Sequence, residues 1–256
     1  MPTGRPFTVA LVAVLVLVAA AEVPAQFASE SDRREALKHY RSGQELLHAE
    51  AWERAAAEFT QAVKLDPLLA LAHYGLGQAN MGLKNYPGAI RAYTGCVEAY
   101  RTLHSLSHSN KATIERLRND EIRELRDSLS TLQSGKVKAG NDPLTITRLE
   151  NRIRDLERER HRAMKGEAFE PPAAVSMALG SAHFRQGNLA DAEKFYLAAV
   201  SADPKFGEAR NNLAVVYFMT GRYDLARQQV KEAEKAGFKV HPALKRDIET
   251  RAHGGF

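Results

Sequence analysis

Cysteine occurs once in the 256 residues, at Cys96. A lone thiol forms no intrachain disulfide and cannot supply a multi-cysteine metal site. Catalytic patterns are missing as well: there is no G-x-x-x-x-G-K-[ST], no G-x-S-x-G and no H-E-x-x-H. Lys136 follows Gly135, but Ser130 stands where a phosphate loop needs its first glycine. His104 and His108 are four apart and could share a helix face, yet no acidic residue or third histidine stands beside them in sequence. They are expected to be ordinary helix histidines. These absences leave no catalytic, metal or cofactor residue to name, and the expected class is non-enzymatic.

Segregated charge is also lacking along most of the chain. The 36 Lys and Arg and 31 Asp and Glu, net +5, are interspersed, which fits a solvated surface and not a nucleic-acid face. No apolar run reaches the roughly 20 residues a spanning helix needs. The longest, Val9 to Ala21, follows Arg5 and is closed by Glu22 and then Val23-Pro24-Ala25-Gln26. A basic start, a short apolar stretch and small residues at the end form a secretory signal pattern, with cleavage expected after Ala25. The chain is therefore expected to be exported, periplasmic or extracellular. An uncleaved N-terminal membrane anchor is the alternative.

What the sequence does contain is an internal repeat. WERAAAEFTQAVKLDP at 52–67 and LADAEKFYLAAVSADP at 189–204 share small residues, an aromatic and a closing Asp-Pro in phase. A first repeat starting at Ala36 carries Gly43, Leu46, Ala55, Phe59, Ala62 and Pro67, and a second starting at Ala70 carries Leu76-Gly77, Ala89, Tyr93 and Cys96. A third starting at Ala173 carries Leu179-Gly180, Ala192, Tyr196, Ala199 and Pro204, and a fourth starting at Gly207 carries Leu213-Ala214, Tyr217, Ala226 and Ala233. Within each pair the step is 34 residues with no gap. Small residues let one helix approach its partner closely, aromatics fill the space between, and Pro ends the second helix. The pattern departs at Ser42, Asn80, Arg101, His183, Val230 and Phe238.

In these motifs the chain resembles the tetratricopeptide-repeat family over residues 36–101 and 171–238. The resemblance implies an all-α solenoid: four repeats in two pairs, each a pair of antiparallel helices, stacked into a right-handed superhelix. Residues 239–256 read as a C-terminal capping helix with Pro242 in its first turn, and Ala243, Leu244 and Ile248 are placed to cover the last repeat.

Residues 102–170 do not fit the repeat. Ile122, Leu125, Leu129 and Leu132, then Ile146, Leu149, Ile153, Leu156 and Ala163, give two narrow apolar seams. Between them lies SGKVKAGNDP, with Asp142-Pro143 as a helix start. The expectation is an inserted antiparallel helical hairpin of coiled-coil type, about 35 Å long, projecting between the second and third repeats. Residues 111–165 hold 14 Lys and Arg against 10 Asp and Glu, net +4. Such an arm reads as a solvated coiled-coil arm or as a basic contact with a partner, an envelope polymer or a membrane surface, and its seam also suits self-association through residues 109–165.

The family resemblance further implies a concave face, lined by first helices, that holds a peptide or helix of another protein. Its positions here are Tyr40 and Gln44, Tyr74 and Gln78, Met177, and Asn211, joined by Asn212, which stands where some relatives use an asparagine ladder. Neither that ladder nor the basic carboxylate clamp of chaperone-binding relatives maps onto the chain. The expected function is an exported scaffold or adaptor for a protein or peptide partner, without nucleic acid or cofactor. The alternative is an envelope assembly factor oligomerising through the hairpin.

Overall fold

The computed structural model describes residues 27–107, 110–134, 143–167 and 169–253. The expected signal segment lies outside the described residues, as do His108 and Asp142. Among the described residues all regular structure is helical, and no helix is long and apolar enough to cross a membrane.

Four helix pairs carry the repeats: α1 (Glu30–His48) with α2 (Trp52–Leu65), α3 (Ala70–Gly82) with α4 (Tyr86–Ser105), α7 (Ala173–Gln186) with α8 (Leu189–Ala202), and α9 (Gly207–Met219) with α10 (Tyr223–Lys235). The inserted hairpin is α5 (Lys111–Gln133) and α6 (Pro143–Lys165), and α11 (Pro242–His253) closes the chain.

Local chemistry explains the boundaries. Ser29 caps α1 by accepting from the Asp32 N–H at 3.0 Å, and Asn85 caps α4 by accepting from the Gly88 N–H at 3.1 Å. Asp66 and Asp203 precede prolines and take the same extended conformation, φ −134° and −135°. Each carboxylate accepts the N–H two residues on, at 3.1 and 3.0 Å, which turns the chain into the next repeat. The turn inside each repeat also recurs. The residue at the fifteenth repeat position is left-handed in all four: Glu50 (φ 54°), Lys84 (58°), Gly187 (89°) and Gly221 (74°).

Packing inside a pair depends on missing side chains. A Cβ on Gly77 would lie 2.3 Å from the Tyr93 ring, and one on Gly180 would lie 2.6 Å from Tyr196. Cys96 is wholly buried in the same layer, and burial pushes its thiol up to about 12, which makes it a packed apolar group and no nucleophile. At the departure Asn80, the amide donates to the Leu76 carbonyl at 2.8 Å and accepts from Asn85 at 2.7 Å.

The two repeat pairs form one stack. α7 packs directly on α4 despite the intervening insertion. Val175, Ala178, Leu179 and Ala182 join the core of the first two repeats, while Ala173, Ala174 and Met177 on the same helix join the core of the last two. Ile248 of α11 is buried against the fourth repeat, with Leu244 beside it.

The hairpin corrects one expectation. It forms, but it does not project. α5 and α6 fold back onto the first helices of the repeats, and Ile122, Leu125 and Leu156 are buried in the core of the first two repeats, with Leu149 and Ile153 packed against it. The seam needed cover that two helices could not give each other, and the concave face supplies it.

Candidate functional site

The first helices α1, α3 and α7 present their fifth and ninth repeat positions to the concave side: Tyr40 and Gln44, Tyr74 and Gln78, Met177 and Ser181. The hairpin lies across them, so this side of the solenoid is partly covered by the chain itself.

Long charged side chains tie the hairpin down. On α5, Glu124 accepts two bonds from Arg41, at 3.0 and 2.5 Å, and Asp120 accepts from Arg33 at 3.2 Å. On α6, Arg148 donates to Glu208 at 2.6 Å and Asp155 accepts the Ala174 N–H at 2.8 Å, at the start of α7. Arg158 donates to the Ala202 carbonyl and to Asp203, both at 3.0 Å. His104 meets Glu159 at 2.5 Å, an acidic neighbour invisible in sequence because 55 residues separate the two.

Arg152 is the centre of this arrangement. Its guanidinium lies 3.9 Å from the centroid of the Tyr74 ring, a cation–π contact, and donates to the Tyr100 hydroxyl at 3.0 Å. That hydroxyl donates to Glu121 at 2.5 Å. Burial raises the Glu121 carboxyl above its ordinary value, and the nearby Arg152 and the Tyr100 hydrogen bond only partly offset this. Burial likewise raises Asp155 and Glu159.

Between the hairpin helices and the repeats the fit is incomplete. A cavity of about 380 Å³ remains between α1, α3 and α7 on one side and the hairpin on the other. Tyr40, Gln44, Tyr74, Gln78 and Met177 all line it, together with Leu47, His48, Trp52, Met81 and Ser181 from the repeats and Leu125, Ser128, Thr145, Arg148, Leu149 and Arg152 from the hairpin. The wall thus combines aromatic and aliphatic surface with two amides, several hydroxyls and a guanidinium. Among the described residues no group of three or more His, Cys, Asp or Glu could hold a metal ion.

Two expected residues lie elsewhere. Asn211 and Asn212 do not line the cavity; the Asn212 amide sits 4.0 Å from the Met177 sulfur and the two asparagines contact each other at 3.4 Å. They sit one repeat further along, on α9, the helix whose Glu208 pairs with Arg148 of α6. Conversely, the hairpin half of the wall was not read from sequence. One signal pointed to it: inside the two hairpin helices, away from their ends, arginine stands at every position that holds Lys or Arg, and arginine is the residue that stacks and pairs bidentately.

The tetratricopeptide-repeat family model matches residues 40–102, 156–205 and 177–237, so the second match begins inside α6. No curated protein sequence matches the chain. The chain is similar to the solved structure of a thermophilic TPR protein of Thermus thermophilus, TTC0263, at 19% identity and TM-score 0.35, covering 85% of this chain and 98% of that one. It is also similar to YrrB, described as a TPR protein with an unusual peptide-binding site, at 17% identity and TM-score 0.30, covering 87% and 95%. PilF of Pseudomonas aeruginosa shows 14% identity and TM-score 0.35, covering 87% and 88%. With the family model matching more than half of its residues, the chain belongs to the tetratricopeptide-repeat family.

Proposed function

We propose that this protein is an exported interaction scaffold that binds a protein or peptide segment in the cavity between the first three repeats and the hairpin. The carrying observation is that five of the seven concave-face residues expected to contact a partner, Tyr40, Gln44, Tyr74, Gln78 and Met177, converge on that one cavity. Membership of a family that generally mediates protein–protein interaction supports the class. The chemistry of the wall supports a peptide: flat apolar surface beside amides that both donate and accept. Export rests on the signal pattern of residues 1–25, and the N-terminal sequence of the secreted protein tests it; a start before residue 26 counts against cleavage there.

The test of the site uses the chain from residue 26 onward, immobilised against an envelope extract. Gln44→Ala with Gln78→Ala removes two half-buried amides without disturbing the aromatic packing. Retained partners are expected to bind at least about tenfold more weakly, the loss of roughly 1.4 kcal/mol. An unchanged partner set and unchanged affinity would sink the cavity reading.

A further inference from the structure

The repeats and the hairpin bury different chemistry. The repeat cores are alanines, aromatics and aliphatic residues meeting at near-zero exposure, such as Phe59, Ala89, Tyr196 and Leu213. Against the hairpin, the buried set includes Arg118, Glu121, Glu124, Asn151, Arg152 and Asp155. Some of its buried polar atoms also lack a hydrogen bond: Arg152 Nε and Nη1, over the Tyr74 ring, and Glu159 Oε2, beside His104. Each such atom weakens the closed arrangement, because water would satisfy it in the open one. α7 packs directly on α4, as α3 packs on α2, so the two repeat pairs share a contact that the hairpin does not make, while Ile122, Leu125 and Leu156 join the same core.

The groove also displays what it recognises. Four α6 residues each meet a partner in the repeats: Arg148 with Glu208, Arg152 with the Tyr74 ring and the Tyr100 hydroxyl, Asp155 with the Ala174 N–H, and Arg158 with Asp203 and the Ala202 carbonyl. Their spacings of four, three and three place them on one helix face.

We propose that the α5–α6 hairpin is a displaceable occupant of the concave face, and that the partner displacing it is an amphipathic helix with the α6 pattern: arginines where Arg148, Arg152 and Arg158 stand and a carboxylate where Asp155 stands. This rests on the reading of the concave face as the partner surface. Tethering gives the hairpin an effective concentration on the order of millimolar. A free helix with the same contacts competes only when the tethered copy is weakened or when the partner adds contacts, as the cavity beside α5 and α6 allows.

The experiment uses the full chain and a labelled synthetic peptide of residues 143–165. Arg152→Ala with Asp155→Ala weakens the tethered copy. This variant is expected to bind the unaltered peptide at least about tenfold more tightly than the parent chain does. The same two changes placed in the peptide are expected to abolish that gain. Trp52, the single tryptophan, lines the cavity under the hairpin and reports occupancy by fluorescence. Amide hydrogen exchange on the unaltered chain provides a measurement free of folding defects: α5 and α6 are expected to exchange faster than α1 to α4 by a tenfold or greater margin. Equal protection of hairpin and repeats, or a peptide that binds the variant no better than the parent, would overturn the proposal. If the hairpin opens and takes the peptide while Gln44→Ala with Gln78→Ala leaves partner binding intact, only the cavity reading fails. If those amide changes abolish partner binding while the hairpin stays closed, only displacement fails.

Discussion

Lys84 shows how much a single backbone position matters. It and Glu50 hold the left-handed conformation that Gly187 and Gly221 supply in the later repeats. For an L-residue with a Cβ that region costs roughly 1–2 kcal/mol, and glycine avoids the clash at some cost in unfolded-chain entropy. Lys84→Gly is therefore expected to stabilise the protein by about 0.5–1 kcal/mol, read as a higher urea midpoint with unchanged slope. The opposite sign applies at Gly77, where a Cβ would lie 2.3 Å from the buried Tyr93 ring. Gly77→Ala is expected to cost about 1–3 kcal/mol, measured the same way. Glu121 provides a charge test. Burial raises its carboxyl pKa in the folded state. A group raised on folding contributes stability at low pH that is lost as pH rises through the raised value. Glu121→Gln keeps an acceptor for Tyr100 and removes that loss. The dependence of the variant's urea midpoint on pH just above the usual carboxylate range should be smaller than the parent's.

At the scale of elements, the repeat helices and the hairpin helices are stabilised differently. α3 and α4 approach through glycine and interlock around an aromatic ring, so their contact is short and apolar. α5 and α6 reach the solenoid through arginine, glutamate and tyrosine side chains around a thinner apolar stripe. Removing side-chain volume should then have different consequences in the two places. Leu125, buried at 1% exposure between hairpin and groove, is part of the stripe. Leu125→Ala is expected to cost about 2–5 kcal/mol, felt first as faster hydrogen exchange across α5 and α6 with the protection of α7 to α10 preserved. Phe59 fills the space beside Gly43 and Gly75. Its truncation should instead lower the stability of α1 to α4 together.

For the whole molecule, α7 is the element that makes two repeat pairs into one body, because its opposite faces belong to the two core clusters. A fragment of residues 171–256 would expose Val175 and Leu179, which are buried at 0% and 3%. That fragment is expected to unfold in a broad, weakly cooperative transition by circular dichroism, as short repeat arrays do. The apolar seam whose spacing suits pairing between chains is covered inside one chain. The protein is accordingly expected to run as a monomer by light scattering while the hairpin is closed.

The sequence by itself determined the repeats: Gly77, Tyr93, Pro67 and their counterparts recur at fixed spacing because each helix pair is built from contacts between residues close in the chain. It also determined that two helices, about 109–133 and about 143–165, carry an apolar stripe that needs cover. Which surface covers that stripe was not written locally, since the spacing of Leu125 and Leu156 is the same whether the partner is another chain or the concave face. Only the tertiary structure decided this, by bringing Tyr74, Tyr100 and Ala174 to Arg152 and Asp155 across long stretches of chain. The same decision turned an open groove into a cavity and left Asn211 and Asn212 outside it.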